Sequence, residues 1–254
     1  MIQLQLFRDM FVNPSLQTIF LANPKCGSSS LESFLRQCEP IMSPKNFPSP
    51  PFGLPKHIDA KFLKEGVMPI VNSTYPDLDF TVFCIVRDPF DRLYSHWKYK
   101  QGEKAKGTPQ STIGISFENY VQDVIELREG LSMKPHAFVR SQVGYIYNDR
   151  ELICEKVFAI EKINEAEEFL SERCGKQICL ETLNKSIPLS GDPKKISDEL
   201  MQRLKICLKR EFEIHQLASV SPDEVRDKYY EENRQSPFEK LRRKVLRFVR
   251  NSAE

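Results

Sequence analysis

The sequence predicts an α/β fold in which helices flank a central, mostly parallel sheet. Two short apolar runs rich in strand-forming residues, at 18–22 and 80–86, are each followed by a bend and a helical pattern. Strands that alternate with helices in this way usually form a parallel sheet that is buried on both faces. With 254 residues, 40% of them hydrophobic, the chain can bury one sizeable core. We expect a main domain over residues 1–220 and a helical extension over residues 221–254.

The first apolar run leads into a loop of small and polar residues. Residues 18–22 predict a strand, and Leu31, Phe34 and Leu35 recur at helical spacing after the loop. At a helix N-terminus, backbone N–H groups and the helix dipole favour an anion such as phosphate. The loop residues are Lys25, Cys26, Gly27, Ser28, Ser29 and Ser30. An ordinary strand-to-helix turn explains them equally well, because the GxxxxGK[ST] order of nucleotide triphosphatases is absent.

The second apolar run ends in a charged turn. Residues 80–86 predict a buried strand, Asp88 a helix cap, and Pro89 the first helical position. Arg87 then lies at the carboxyl end of a central strand, where open α/β sheets bind ligands, and Ser95 follows two helical turns later. One guanidinium and one hydroxyl could hold a phosphate. The alternative is a structural ion pair between Arg87 and Asp88.

The remaining elements follow from caps and apolar spacing. Ser116 is the predicted cap of a helix over 117–127, and Asn164 with Glu167 predicts a capping box for a helix that ends at Glu172. Ser197 begins one long helix that reaches His215. The further predicted strands are an edge strand at 3–7, a buried strand at 157–160 and a last strand at 177–180.

The segment 236–250 predicts a basic amphipathic helix with an apolar stripe and six cations. Two interpretations stay open. The stripe packs on the domain, or the helix makes a peripheral contact with an anionic membrane or a polyanionic acceptor.

Composition limits the other partners. The net charge is +2, so no global basic field indicates a nucleic-acid partner. Seven cysteines contain no zinc-like spacing, and their odd number argues against a disulfide framework; a bridge between Cys174 and Cys179 stays open. The sequence shows no signal peptide and no apolar run of membrane-spanning length, so we expect a cytoplasmic, soluble protein.

Taken together, PKCGSSS and VRDPFDRLYSHW resemble the 5′-phosphosulfate loop and the 3′-phosphate motif of sulfotransferases that use 3′-phosphoadenosine 5′-phosphosulfate (PAPS). The closer resemblance is to the carbohydrate (family 2) branch, and it runs from about residue 18 to residue 217. It implies a P-loop NTPase-like three-layer α/β fold, PAPS as donor without a metal, and transfer of a sulfuryl group to a hydroxyl, with a glycan as the expected acceptor.

The resemblance also implies residue roles. Lys25 contacts the phosphosulfate and stabilises the leaving oxygen, while Cys26, Gly27 and the three serines cradle the 5′ side. Arg87 and Ser95 hold the 3′-phosphate. Lys185 lies in a turn that is similar to the one closing over the nucleotide in this family. Cys26 and Gly27 depart from the family pattern, since other small residues often stand there.

Two histidines are candidates for the base that removes the proton of the acceptor hydroxyl, a task that suits an imidazole near neutral pH. His57 follows the first helix and a proline-rich loop at 40–55, as the base often does in the family resembled. His136 begins an element similar to the family's H-x-x-x-x-Q, which ends at Gln142, an expected polar contact. We expect structural roles for His96 and His215.

Two other functions stay open on the sequence alone. One is a P-loop-like kinase that uses Mg-ATP, which the absent GK[ST] ending disfavours. The other is a non-catalytic adaptor that keeps a nucleotide-binding fold and binds a membrane or a partner through its basic C-terminal helix.

Overall fold

The computed structural model describes residues 10–35, 57–180 and 194–234. Its main sheet contains β1 (Met10–Asn13), β2 (Thr18–Leu21), β3 (Thr81–Val86) and β6 (Lys156–Ala159), in the order β1-β2-β3-β6. β1 pairs antiparallel with β2, whereas β2, β3 and β6 are parallel. A small hairpin is formed by β4 (Tyr147–Asn148) and β5 (Glu151–Leu152). The mixed α/β class with a mostly parallel sheet is therefore confirmed.

Helices follow the strands as the sequence predicts. The first strand–loop–helix unit ends in α1 (Ser28–Leu35), and β3 leads into α4 (Pro89–Lys100). The other helices are α2 (Ala60–Phe62), α3 (Met68–Thr74), α5 (Phe117–Arg128), α6 (Ile163–Cys174), α7 (Asp198–Cys207), α8 (Lys209–Ala218) and α9 (Glu224–Arg234). A π-helical turn, Leu63–Val67, joins α2 to α3, and 3-10 turns occur at Pro135–Ala137, Val143–Tyr145 and Ile160–Lys162.

Apolar side chains cover both faces of the main sheet. On one face, Leu31 of α1 and Leu170 of α6 pack in one buried cluster with Phe83 of β3. On the other face, residues of α3, α8 and α9 join a cluster that contains Val82. A third cluster lies between α4, α5 and α7. The sheet is thus buried as the two continuous apolar runs require.

The strand register brings three connections to one edge of the sheet. Leu21 of β2 lies opposite Cys84 of β3, and Val86 of β3 lies opposite Ala159 of β6. The loop after β2, the turn after β3 and the 3-10 turn after β6 therefore emerge side by side. This carboxyl edge is where α/β sheets bind ligands.

Of four predicted helix details, two are confirmed and two are wrong. Ser116 and Ser197 do cap helices, since their side chains accept from Asn119 N and Leu200 N. Asn164 does not, because α6 begins one residue earlier and has no side-chain cap. The long helix predicted after Ser197 is two helices, because Leu208 (φ −105°, ψ 22°) interrupts it.

The predicted strand at 177–180 is wrong. Ile178 N donates to Ser171 Oγ at 2.9 Å and Leu180 N donates to Glu167 Oε1 at 2.7 Å. The backbone of this segment is thus bonded to side chains of α6 instead of a neighbouring strand. The edge strand predicted at 3–7, the loop at 40–55, Lys185 and the segment 236–250 lie outside the described residues.

Two further findings concern a disulfide bridge and a membrane-spanning helix. Cys174 and Cys179 are both free thiols, so they are not bridged. No helix within residues 10–35, 57–180 and 194–234 is long and apolar enough to cross a bilayer.

Candidate active site

The loop between β2 and α1 has two residues in the left-handed backbone region. Lys25 has φ 66° and Gly27 has φ 73°. A β-carbon on Gly27 would lie 2.2 Å from Ile160 Cδ1, so space and conformation both favour glycine. For Lys25 the same conformation costs about 1–3 kcal/mol, and such strain is concentrated at functional sites. The loop is therefore held in one unusual shape by the rest of the structure.

α1 begins directly after this turn. Ser30 N donates to Gly27 O at 3.2 Å, and the first turn of α1 contains no acidic side chain. Ser28 is buried, Ser29 is exposed and Ser30 is half-buried. The N-terminal N–H groups and the positive end of the helix dipole thus lie beside the carboxyl end of β2, an arrangement suited to an anion.

The Cys26 side chain lies in the interior, beneath the loop. It is 1% exposed, and its thiol donates to Gln142 Oε1 at 3.3 Å. Burial raises the pKa of this thiol to about 12, against the opposing charges of Arg92 and Arg87. A thiol with this pKa is not a nucleophile near neutral pH.

Gln142 joins the two loops that the sequence motifs predict. Its side chain is fully buried, and Oε1 accepts from Asn23 Nδ2 at 3.2 Å and from Arg87 N at 3.0 Å. Nε2 donates to Arg87 O at 3.0 Å. The sequence predicts Gln142 only as a polar contact on the acceptor side. In the structure it connects the loop after β2 to the turn after β3.

Arg92, which the sequence reading missed, supports the same loop from α4. It is 2% exposed, and it donates to Pro24 O at 3.0 Å through Nε and to Asn23 Oδ1 at 3.2 Å through Nη2. Nη2 also donates to Arg140 O at 3.0 Å. A buried guanidinium requires such partners.

Glu211 of α8 supplies the counter-charge. It is 4% exposed and lies 3.7 Å from Arg92 Nη1 and 3.5 Å from Arg128 Nη2. Glu211 Oε1 also accepts from Ser141 Oγ at 2.8 Å. The sequence alone does not indicate this role of Glu211, because a pairing over more than 100 positions leaves no local signal. A late helix is thereby coupled to the loop after β2.

Arg87 directly follows β3, and the residue is half-buried. The alternative of an Arg87–Asp88 ion pair is wrong, because the two side chains form no ion pair in the described part of the chain. Asp88 Oδ1 instead caps α4 by accepting from Asp91 N at 3.0 Å. The Arg87 guanidinium and the Ser95 hydroxyl have no hydrogen-bond or ionic partner within the described ranges. A cation and a hydroxyl are thus available to a ligand at this edge.

The Lys25 side chain reaches the helix that carries Ser95. Its Nζ lies 4.3 Å from the centroid of the Tyr99 ring, a cation–π contact. Tyr99 is one helical turn beyond Ser95 on α4, and residues four apart share a helix face. The structure therefore brings the Lys25 loop, Arg87 and the Ser95 face of α4 into one region.

His57 lies against the end of β2. Its Nδ1 is 2.8 Å from Ala22 O, and because a carbonyl only accepts, Nδ1 must carry a proton. The neutral ring then has its lone pair on Nε2, the form needed for a base. Arg140 Nη1 donates to His57 O at 2.6 Å, which fixes the backbone of this residue. His57 is thus adjacent to the loop that contains Lys25.

His136 occupies a different environment. Its Nε2 lies 2.7 Å from Asp123 Oδ2 of α5, and Lys134 contacts the other carboxylate oxygen. Burial alone would raise the pKa of Asp123, but the hydrogen bonds from Lys134 and His136 lower it overall. The His136 ring is therefore bonded through Nε2 to a carboxylate of α5.

The 3-10 turn after β6 and α8 also meet at this edge. His215 Nε2 lies 3.0 Å from Glu161 Oε2, and Asp88 N donates weakly to Glu161 Oε1 at 3.5 Å. Lys194, the first described residue after the segment that contains Lys185, has its Nζ 2.6 Å from Asp91 Oδ1 on α4. No group of three or more potential metal ligands occurs among the described residues.

Comparison with known proteins identifies the family. A family model described as "Sulfotransferase family" matches residues 8–217, and no curated protein matches the chain. The matched range is well over half of the chain and includes both loops, Gln142 and Glu211. The chain therefore belongs to the sulfotransferase family, in its family 2 branch.

Proposed function

We propose that the protein transfers a sulfuryl group from PAPS to a hydroxyl of a carbohydrate acceptor, on a P-loop NTPase-like scaffold. Sulfuryl transfer follows from the family. The observation that supports PAPS as donor is the Gln142 connection, which holds the Lys25 loop and Arg87 together at one sheet edge. A nucleotide with anionic groups at both ends needs two such anion sites within one cavity.

The residues fit the donor chemically. The α1 N-terminus, Ser28–Ser30 and the Lys25 ammonium suit the phosphosulfate end, since N–H groups, hydroxyls and a point charge bind oxyanions. The guanidinium of Arg87 and the hydroxyl of Ser95 suit the 3′-phosphate, for which bidentate donation is favourable. Cys26 contributes no side-chain donor to this anion site, because its thiol bonds to Gln142.

In the proposed mechanism, His57 accepts the proton of the acceptor hydroxyl as the new S–O bond forms. The Ala22 carbonyl selects the tautomer whose Nε2 can take that proton. Lys25 and the N–H groups of the loop stabilise the negative charge that grows on the departing bridging oxygen. Positioning and electrostatics then supply most of the rate enhancement, as in phosphoryl transfer.

A carbohydrate acceptor rests on the likeness of VRDPFDRLYSHW to the carbohydrate branch of the family. His136 and Gln142 lie on the segment that faces the acceptor in the family resembled. His136 remains the alternative base in this proposal, and its Nε2 is bonded to Asp123 Oδ2.

A thermal-shift panel tests the proposal. Adenosine 3′,5′-bisphosphate without Mg²⁺ should raise the melting temperature, because a ligand at one hundred times its Kd stabilises the folded state by about 2.7 kcal/mol. Stabilisation by Mg-ATP alone would indicate a kinase, and no response to either nucleotide would indicate an adaptor. Either result would overturn the proposal.

A further inference from the structure

α4 carries a row of polar residues on a buried face. Arg92, His96 and Lys100 are spaced four residues apart, so they lie on one side of the helix. The charged groups of Arg92 and Lys100 are bonded to backbone carbonyls, and Lys100 Nζ donates to His136 O at 2.8 Å and to Phe138 O at 2.9 Å. His96 Nε2 is also buried, but it has no hydrogen-bond partner in the described part of the chain.

The partners of its neighbours give the position of His96. One helical turn before it, Arg92 bonds to Pro24 O in the Lys25 loop. One turn after it, Lys100 bonds to the segment that contains His136. His96 therefore lies in the seam between the Lys25 loop and the acceptor-side segment, and Tyr99, against which Lys25 Nζ packs, is three residues away.

The charged and titratable groups that face His96 come from three directions. The cations are Arg92 and Lys100 on its own helix and Lys25 from the loop after β2, and the titratable His57 faces it from the segment before α2. Burial and then the charges of Arg92, Lys100 and Lys25 hold the pKa of His96 well below its usual value. The ring is therefore neutral near pH 7, and it can donate through Nε2–H without carrying a charge of its own.

We infer that His96 Nε2–H donates a hydrogen bond to an oxygen of the sulfuryl group in transfer, an inference that rests on the proposed function. A buried ring nitrogen without a hydrogen-bond partner is costly, so the position favours a ligand that supplies the missing partner. Because the surrounding side chains are cationic, that ligand is an oxyanion. His96 keeps its proton throughout: the bond between sulfur and the donor's bridging oxygen breaks, the bond to the acceptor oxygen forms, and a different residue accepts the acceptor's proton.

Paired nucleotides separate this role from a structural one. PAPS and adenosine 3′,5′-bisphosphate differ by the sulfuryl group, so the binding of both is measured by calorimetry for the wild type, His96→Leu and His96→Gln. His96→Leu should weaken PAPS binding about 10- to 100-fold and leave bisphosphate binding within twofold. His96→Gln places an amide N–H near the position of Nε2 and should keep most of the PAPS affinity.

Stability provides an independent readout. Since His96→Leu removes an unpartnered buried nitrogen, the melting temperature of the nucleotide-free protein should stay the same or rise. An equal loss of affinity for both nucleotides, or an unchanged PAPS affinity, would overturn the inference. If the wild type binds neither nucleotide, the proposed function is overturned instead. If the wild type binds both nucleotides and His96→Leu binds them equally well, only the role of His96 is refuted.

Discussion

Single residues determine which groups of the loop after β2 can meet a ligand. Lys25 takes a backbone conformation that is unfavourable for a lysine, and its ammonium rests on Tyr99 of α4. Cys26 next to it points inward to Gln142. The alternation places the Lys25 ammonium against α4 and the Cys26 thiol in the interior, so two adjacent residues of the motif have different surroundings.

Replacement of His57 tests the base. Asparagine places an amide N–H near the position of Nδ1, so His57→Asn should keep the bond to Ala22 O and lose only the Nε2 lone pair. We expect kcat for sulfuryl transfer to fall by roughly 10²- to 10⁴-fold, with unchanged affinity for adenosine 3′,5′-bisphosphate. Steady-state kinetics and calorimetry measure the two quantities.

The control for this experiment is His136→Asn, measured in the same assays. If His57→Asn is fully active and His136→Asn is inactive, the base is His136, and the assignment from the Ala22 contact is rejected.

The Cys26 thiol should resist alkylation in the folded protein. Burial raises its pKa to about 12, so it remains a thiol at pH 8, whereas Cys179 is exposed. Iodoacetamide followed by mass spectrometry should label Cys179 rapidly and Cys26 only after the protein is unfolded in denaturant. Equal labelling rates of the two cysteines in the native state would contradict the packing of Cys26 against Gln142.

At the scale of elements, Gln142 and the Arg92–Glu211 pair connect segments that are distant in sequence. Gln142 links the connections after β2 and β3, and Glu211 of α8 neutralises Arg92 of α4. The loops of the site are therefore held in place by buried side chains from segments that are distant in sequence.

Gln142→Leu should loosen both loops. The change leaves the Arg87 N–H and one bond of the Asn23 amide unsatisfied in a buried site, so we expect the free energy of unfolding to fall by about 3 kcal/mol. Urea denaturation measures the loss. Gln122→Leu is the matched control, because Gln122 lies half-buried on α5 and, among the described residues, its side chain bonds to Glu126 and Arg203 alone. This change should cost less than about 1 kcal/mol. Equal costs would mean that Gln142 does not hold the loops.

Local patterns predicted the elements that have strong local causes. The apolar runs gave β2 and β3, and Ser116, Asp88 and Ser197 were found as caps because a capping side chain lies next to its helix. The strand at 177–180 was wrong because side chains of α6 satisfy its backbone, a tertiary effect. The break at Leu208 was missed since apolar spacing continues through it.

For the whole molecule, the sheet register explains why the site could be predicted only in part. Lys25, Arg87 and His57 lie close to strand ends that the motifs mark. Arg92, Gln142 and Glu211 act through contacts between segments 48 to 119 positions apart, for which one sequence gives no signal. One pattern in the sequence did indicate such contacts: a basic residue stands at every fourth position of α4. Charges on the buried side of a helix need partners, so this spacing predicts bonds to other segments.

Stability should depend on pH through the His215–Glu161 pair. Burial would lower the pKa of His215, but the hydrogen bond and charge of Glu161 raise it overall; for Glu161, burial is likewise outweighed and the pKa is lowered. The histidine's contribution is lost as pH rises through its raised pKa, and the carboxylate's as pH falls through its lowered pKa. The pair therefore stabilises the fold most at about pH 5–6.

His215→Gln should accordingly reduce the free energy of unfolding more near pH 5.5 than near pH 8.5, as measured by urea denaturation at both pH values. Glu161→Gln should show the same pH dependence, since it removes the other half of the pair. A loss of stability that is equal at the two pH values would show that the ionic contact between α8 and the turn after β6 does not contribute.

The central claim is that the Lys25 loop and Arg87 bind the two ends of one nucleotide. The direct measurement is calorimetric titration of adenosine 3′,5′-bisphosphate and of adenosine 5′-monophosphate, which lacks the 3′-phosphate, into the wild type, Lys25→Ala and Arg87→Ala. Because the Arg87 guanidinium has no bonded partner among the described residues, its loss should leave stability unchanged. We expect the wild type and Lys25→Ala to prefer the bisphosphate by about 10- to 100-fold, and Arg87→Ala to lose most of this preference, with only the contribution of the Ser95 hydroxyl left. An undiminished bisphosphate preference in Arg87→Ala would contradict the central claim.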